Sequence, residues 1–120
     1  GTHMLLVTRD STRRGSVQAF ARLRGFRVTP ASDGAAALAC VRSETFDLAV
    51  VDLDAPGVRA ATFFSSLKRE QSWLVKRLLF LNASQADERK LKGAMLADPL
   101  ELDRLEEAAA SVLGLVSPAS

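Results

Sequence analysis

Residues 46–52 read FDLAVVD, an apolar run that has no regular polar alternation and closes on an acid. Such a run is the pattern of a strand buried on both faces, and strands of that kind belong to sheets covered by helices on two sides. Four shorter apolar runs repeat the theme: residues 4–8 (MLLVT), 26–29 (FRVT), 78–81 (LLFL) and, more weakly, 93–97 (GAMLA). Helical spacing fills the gaps between them. Asp10 or Ser11 can cap an arginine-rich segment in which Val17, Phe20 and Ala21 share a face, and Gly25 stops it. Asp33-Gly34 opens an alanine-rich segment with Leu38 and Val41 three apart. Pro56-Gly57 breaks the chain before Val58, Ala61, Phe64 and Leu67 line up, and Pro99 opens a last segment whose Leu102, Leu105, Ala109 and Val112 share a face.

Strand and helix alternating five times predict a doubly wound α/β domain with a five-stranded parallel sheet, because each parallel return needs a right-handed crossover. In such sheets chemistry collects at the carboxyl ends of the strands. Those ends carry Thr8-Arg9-Asp10, Asp52-Leu53-Asp54, Asn82-Ala83-Ser84 and Asp98-Pro99. At 120 residues there is room for one hydrophobic core. No apolar run approaches the roughly 20 residues that span a bilayer, and no signal peptide is visible, so a cytoplasmic protein with no membrane contact is expected. One cysteine, Cys40, and one histidine, His3, supply neither a disulfide nor a zinc set. The net charge of +2 comes mostly from twelve arginines without a dense basic tract, so nucleic acid is not an expected partner of this domain. Residues 1–3 read as a vector remnant, 4–113 as the domain and 114–120 as the start of a linker to an output domain.

With these features in place, the sequence resembles the receiver domain of response regulators over residues 4–113. The segments FDLAVVDLDAPG and ASDGAAAL carry the resemblance: the first is similar to the family's third strand, phospho-accepting aspartate and Pro-Gly loop, the second to its Asp/Gly-led second helix. The resemblance implies a flavodoxin-like sheet of strand order 2-1-3-4-5 and places Asp52 at the acceptor position. It also implies partners that the acceptor needs, and here the sequence departs. Thr8 and Arg9 stand where an acid pair holds Mg²⁺, Asn82 where a hydroxyl residue contacts the phosphoryl group, Asp98 where a lysine balances its charge, and Met95 where the family places its aromatic switch.

The expected pocket therefore comprises Thr8, Arg9, Asp10, Asp52, Asp54, Asn82 and Asp98, with Asp52 a vestigial acceptor, no catalytic residue, no metal and no cofactor. Arg9 is expected to pair with Asp52, Asp98 or both as a fixed substitute for the metal. The expected function is that of a pseudo-receiver, not an enzyme, acting in bacterial signalling by protein contact independent of phosphorylation. The alternative is a true receiver phosphorylated on Asp52 by a histidine kinase. Between Asn82 and Pro99 the chain is short for the family, so the fourth helix, residues 86–92, should be reduced to a turn or two. The face of fourth helix, fifth strand and fifth helix, with Arg89, Lys92 and Met95, is then the expected surface for a partner or for self-association, and Trp73 a further exposed anchor. Phe64 is expected in the core, with Phe63 a further candidate for it, and Cys40 as a small buried or half-buried side chain without redox chemistry.

Overall fold

The structure is a computed structural model, and it describes residues 2–58, 61–81 and 95–96. Strands β1 (His3–Val7), β2 (Arg27–Ala31), β3 (Leu48–Asp52), β4 (Leu78–Leu81) and β5 (Met95–Leu96) form one parallel sheet in the order β2-β1-β3-β4-β5. The helices are α1 (Ser11–Leu23), α2 (Gly34–Ser43) and α3 (Ala61–Glu70), followed by a short 3₁₀ helix over Ser72–Lys76. The predicted fold class and strand order hold.

Strand periodicity divides the core in two. Leu5, Val7, Ala49 and Val51 point to one face, where Ala37 and Val41 of α2 and Phe63 and Leu67 of α3 cover them. Met4, Leu6, Leu48 and Val50 point to the other, under Val17, Phe20 and Ala21 of α1. This two-sided burial is what an apolar strand without polar alternation requires.

Three local expectations shift. β1 begins at His3, so the third residue belongs to the sheet, with its backbone N–H donating to Asp47 Oδ2 at 2.9 Å. β2 runs on through Pro30 to Ala31; proline is compatible with a strand at a sheet edge, where its missing N–H faces outward. α3 spans Ala61–Glu70, Val58 closes a turn ahead of it, and the buried face runs through Phe63 and Leu67: Phe63 is 2% exposed and Phe64 only half-buried, its ring edge-on to Phe63 at 5.0 Å between centroids. The reduced fourth helix, the last helix, the linker and the side chains of Asn82, Arg89, Lys92, Met95 and Asp98 lie outside the described residues.

Candidate functional site

β1 and β3 are neighbours, and the chain leaves them in opposite directions across the sheet, so a crevice opens at their carboxyl ends. The register pairs Val7 with Val51, which brings the next residues, Thr8 and Asp52, side by side. Asp52 is 1% exposed and Thr8 also 1%. A carboxylate this deep needs its oxygens answered. Thr8 Oγ1 donates to Asp52 Oδ2 at 2.9 Å, Arg13 Nη1 donates to the same oxygen at 3.1 Å, and the Asp54 backbone N–H donates to Oδ1 at 2.9 Å.

The helix that delivers Arg13 is fixed by the same residues. Asp10 is the N-cap of α1, its Oδ1 accepting from the Arg13 backbone N–H at 3.0 Å, while its own N–H donates to Thr8 Oγ1 at 3.1 Å. The chain of bonds thus runs from the Asp10 amide through the Thr8 hydroxyl to Asp52. Arg13 Nη1 lies 3.1 Å from Asp52 and 3.8 Å from Asp10 Oδ2, a guanidinium shared between a buried and an exposed carboxylate. An open cleft of about 200 Å³ lies above, lined by Arg9, Asp10, Arg13, Asp52 and Asp54.

Among the described residues the cation on Asp52 is Arg13, and the expected Arg9 pair with Asp52 is corrected accordingly. Arg9 lines the cleft but is exposed, and among the described residues it makes no hydrogen bond or ion pair. Alternation explains this: Thr8 continues β1 and aims at Asp52, so the residue after it turns away. Arg13 was missed although a signal existed. It stands four residues before Val17 and seven before Phe20, which puts it on the buried stripe of α1 at the end nearest the crevice.

The loop behind Asp52 is pinned as well. The Ala55 N–H donates to the Asp52 carbonyl at 3.0 Å, Gly57 adopts a positive φ of 79°, and the Gly34 N–H at the start of α2 donates to the Pro56 carbonyl at 2.7 Å. Gly34 must be glycine here, since a Cβ would come within 2.7 Å of the Gly57 carbonyl oxygen.

These residues do not fit a divalent cation. A hard cation wants several anionic or carbonyl oxygens, whereas the buried carboxylate here already holds a guanidinium and a hydroxyl on one oxygen. Among the described residues no three His, Cys, Asp or Glu side chains gather where they could hold a metal ion. No described helix is long and apolar enough to cross a membrane.

Away from the crevice, Trp73 is 43% exposed, as an anchor would be, but its indole N–H also donates to the Phe46 carbonyl at 2.7 Å and so ties the 3₁₀ helix to the entry of β3. Cys40 is half-buried on α2, and burial, followed by the nearby Glu44 carboxylate, raises its thiol pKa.

No family model matches the chain. Over 82 residues, 68% of the chain, the sequence is 39% identical to the transcriptional activator protein PfeR of Pseudomonas aeruginosa; the chain spans about a quarter of that relative, 27% of its length. Among solved structures, the receiver domain of a Pseudomonas aeruginosa sensor histidine kinase, which has a magnesium ion coordinated in its active-site cleft, superposes with a TM-score of 0.76 at 21% identity, over 95% of this chain and 98% of that one. FixJ from B. japonicum superposes with a TM-score of 0.79 at 24% identity, over 98% of this chain and 60% of that one. The chain has the fold of response-regulator receiver domains.

Proposed function

We propose that this chain, a receiver-type domain by fold, is a phosphorylation-independent module that works in bacterial two-component signalling by binding proteins. One observation carries the reading: a guanidinium and a hydroxyl from the chain itself, those of Arg13 and Thr8, occupy Oδ2 of Asp52 at 3.1 and 2.9 Å. Phosphoryl transfer to a carboxylate depends on positioned positive charge that stabilises the transferring group and leaves the attacking oxygen available. Here the positive charge is a side chain pinned to the nucleophile, and the positions after β1 that hold the metal-binding acids in the family are Thr8 and Arg9. The pair is directional and partly shielded, which favours one fixed conformation over switching. The surface proposed for the partner includes Arg89, Lys92 and Met95 together with Trp73.

The deciding experiment is incubation with Mg²⁺ and acetyl phosphate followed by intact mass. The unmodified mass is expected. A stoichiometric phosphoryl adduct that disappears in Asp52→Asn would establish a phospho-accepting receiver instead.

A further inference from the structure

A short segment of backbone joins Asp52 to α2. The Asp52 Oδ1 accepts from the Asp54 backbone N–H at 2.9 Å and the Asp52 carbonyl from the Ala55 N–H at 3.0 Å, so side chain and main chain together fix the start of the loop. Two residues after Asp54, the Pro56 carbonyl accepts from the Gly34 N–H at 2.7 Å, and Gly34 is the first residue of α2. The Val58 N–H donates to the Ala55 carbonyl at 3.3 Å, which closes the loop on itself. A carboxylate oxygen at the floor of the crevice and the first amide of α2 are thus held by one internally bonded segment.

The contact at the α2 end has no slack. Gly34 is buried, and the room a Cβ would need there is filled by the Gly57 carbonyl oxygen and carbon, at 2.7 and 2.8 Å, with the Val58 nitrogen at 3.3 Å. Close-packed backbone transmits a displacement, whereas a long side chain absorbs one. Toward α1 the carboxylate meets Arg13, a guanidinium on a long side chain that is 26% exposed; toward α2 it meets backbone. The first turn of α2 is itself firm, because Asp33 caps it, Oδ1 accepting from the Ala36 N–H at 2.7 Å, and Ala37 and Val41 pack on the same core face as Val51. Ser32, Ala35, Asp54, Pro56 and Gly57 are exposed around this junction, so a shift there changes the surface of the molecule.

We propose that residues 54–57 couple the Asp52 crevice to the start of α2, so that a group bound at the carboxylate, or a change to it, alters the exposed surface formed by this loop and the first turn of α2. Such coupling is reciprocal: whatever docks on that surface acts back on the crevice to the same extent. The proposal goes beyond the interaction-module reading and holds whether or not Asp52 accepts a phosphoryl group.

The test measures amide shifts and hydrogen exchange in the 120-residue chain for Asp52→Ala, which deletes the oxygen that Asp54 uses, and for Asp52→Asn, which keeps one. Exchange at Gly34 is taken relative to Phe20 and Ala21 inside α1, so that a global loss of stability cancels. Asp52→Ala should raise this ratio by about threefold or more and shift the amides of residues 34–37. Asp52→Asn should return both close to the parent. Gly34→Ala should in turn shift the amides of Asp52 and Thr8, at the other end of the path. An unchanged ratio in Asp52→Ala, equal effects in the two Asp52 variants, or shifts confined to residues 8–13 and 52–54 would overturn the proposal. So would shifts at Ala31 and Ser32 with Gly34 unchanged, which would assign the coupling to the bond from the Thr8 N–H to the Ala31 carbonyl instead. Phosphorylation is scored by mass and coupling by exchange, so failure of either experiment leaves the other interpretable.

Discussion

A carboxylate with 1% of its residue surface exposed, as Asp52 has, stays charged in a fold only if donors and a cation replace the lost water. Removing the cation leaves the penalty behind, so Arg13→Ala should destabilise the domain by about 1–3 kcal/mol in urea unfolding. That figure lies below the cost of breaking a fully buried pair, because Arg13 is 26% exposed by side chain and Thr8 and Asp54 still donate to Asp52. Arg9→Ala should fall within about 0.5 kcal/mol of the parent, as befits an exposed residue that makes no hydrogen bond or ion pair among the described residues. Equal losses for the two variants would deny that Arg13 is the neutralising cation. The carboxylate was legible in the sequence because a strand that ends on an acid announces itself; its partner was not, because the position of the family's metal-holding acids favoured Arg9, while the three-dimensional selection is made by helix phase, which puts Arg13 with Val17 and Phe20. Cys40 yields a prediction of sign. Burial and the Glu44 carboxylate raise its thiol pKa, so less thiolate is present at neutral pH than for a free cysteine. Iodoacetamide should therefore modify Cys40 more slowly than glutathione under the same conditions; faster modification would contradict the assigned environment.

Two glycines on helices separate local propensity from tertiary contact. Gly15 lies inside α1 with nothing within 4 Å of an added Cβ. Gly15→Ala should stabilise the domain by about 0.5–1 kcal/mol, the intrinsic helix preference for alanine. Gly34 opens α2, where the same preference applies, yet its Cβ would meet the Gly57 carbonyl oxygen at 2.7 Å and the carbonyl carbon at 2.8 Å. Backbone atoms cannot swing aside as a side chain can, so Gly34→Ala should cost about 1–3 kcal/mol and disturb the amides of residues 54–58. Thermal denaturation of both variants checks the opposite signs, and a neutral Gly34→Ala would mean that the loop behind Asp52 is not pinned to α2. Elements read well from the sequence where periodicity and caps agree, as for Asp10 and Asp33, whose side chains accept from Arg13 and Ala36 backbone N–H groups. They read less well where a neighbour decides. Pro30 looks like a strand breaker in isolation and is tolerated because β2 is an edge; Val58 reads as a helical position and instead closes a turn, its N–H donating to the Ala55 carbonyl.

At the scale of the whole molecule, the crevice between β1 and β3 follows from the strand order, which the resemblance implies and the alternation of strand and helix alone does not fix; what occupies it depends on side chains that order does not dictate. Whether the crevice takes a cation is a question of linkage, since any ligand that binds only the native state raises its stability by RT ln(1 + [L]/Kd). A divalent cation at Asp52 would have to share the carboxylate with the Arg13 guanidinium, which lies 3.1 Å from its Oδ2, and two cations on one carboxylate repel each other. Thr8 adds a hydroxyl that donates to the carboxylate and faces Asp52 without a charge of its own. Millimolar Mg²⁺, alone or with beryllofluoride, is therefore expected to leave both the thermal midpoint and the amide spectrum of the domain unchanged. The control lies in concentration dependence: an ionic-strength effect would move exposed amides broadly and be reproduced by a monovalent salt, whereas a bound ion would act saturably and locally. A saturable rise in midpoint with amide shifts centred on Thr8, Asp52 and Asp54 would show that the crevice binds the cation beside Arg13 and would overturn this expectation.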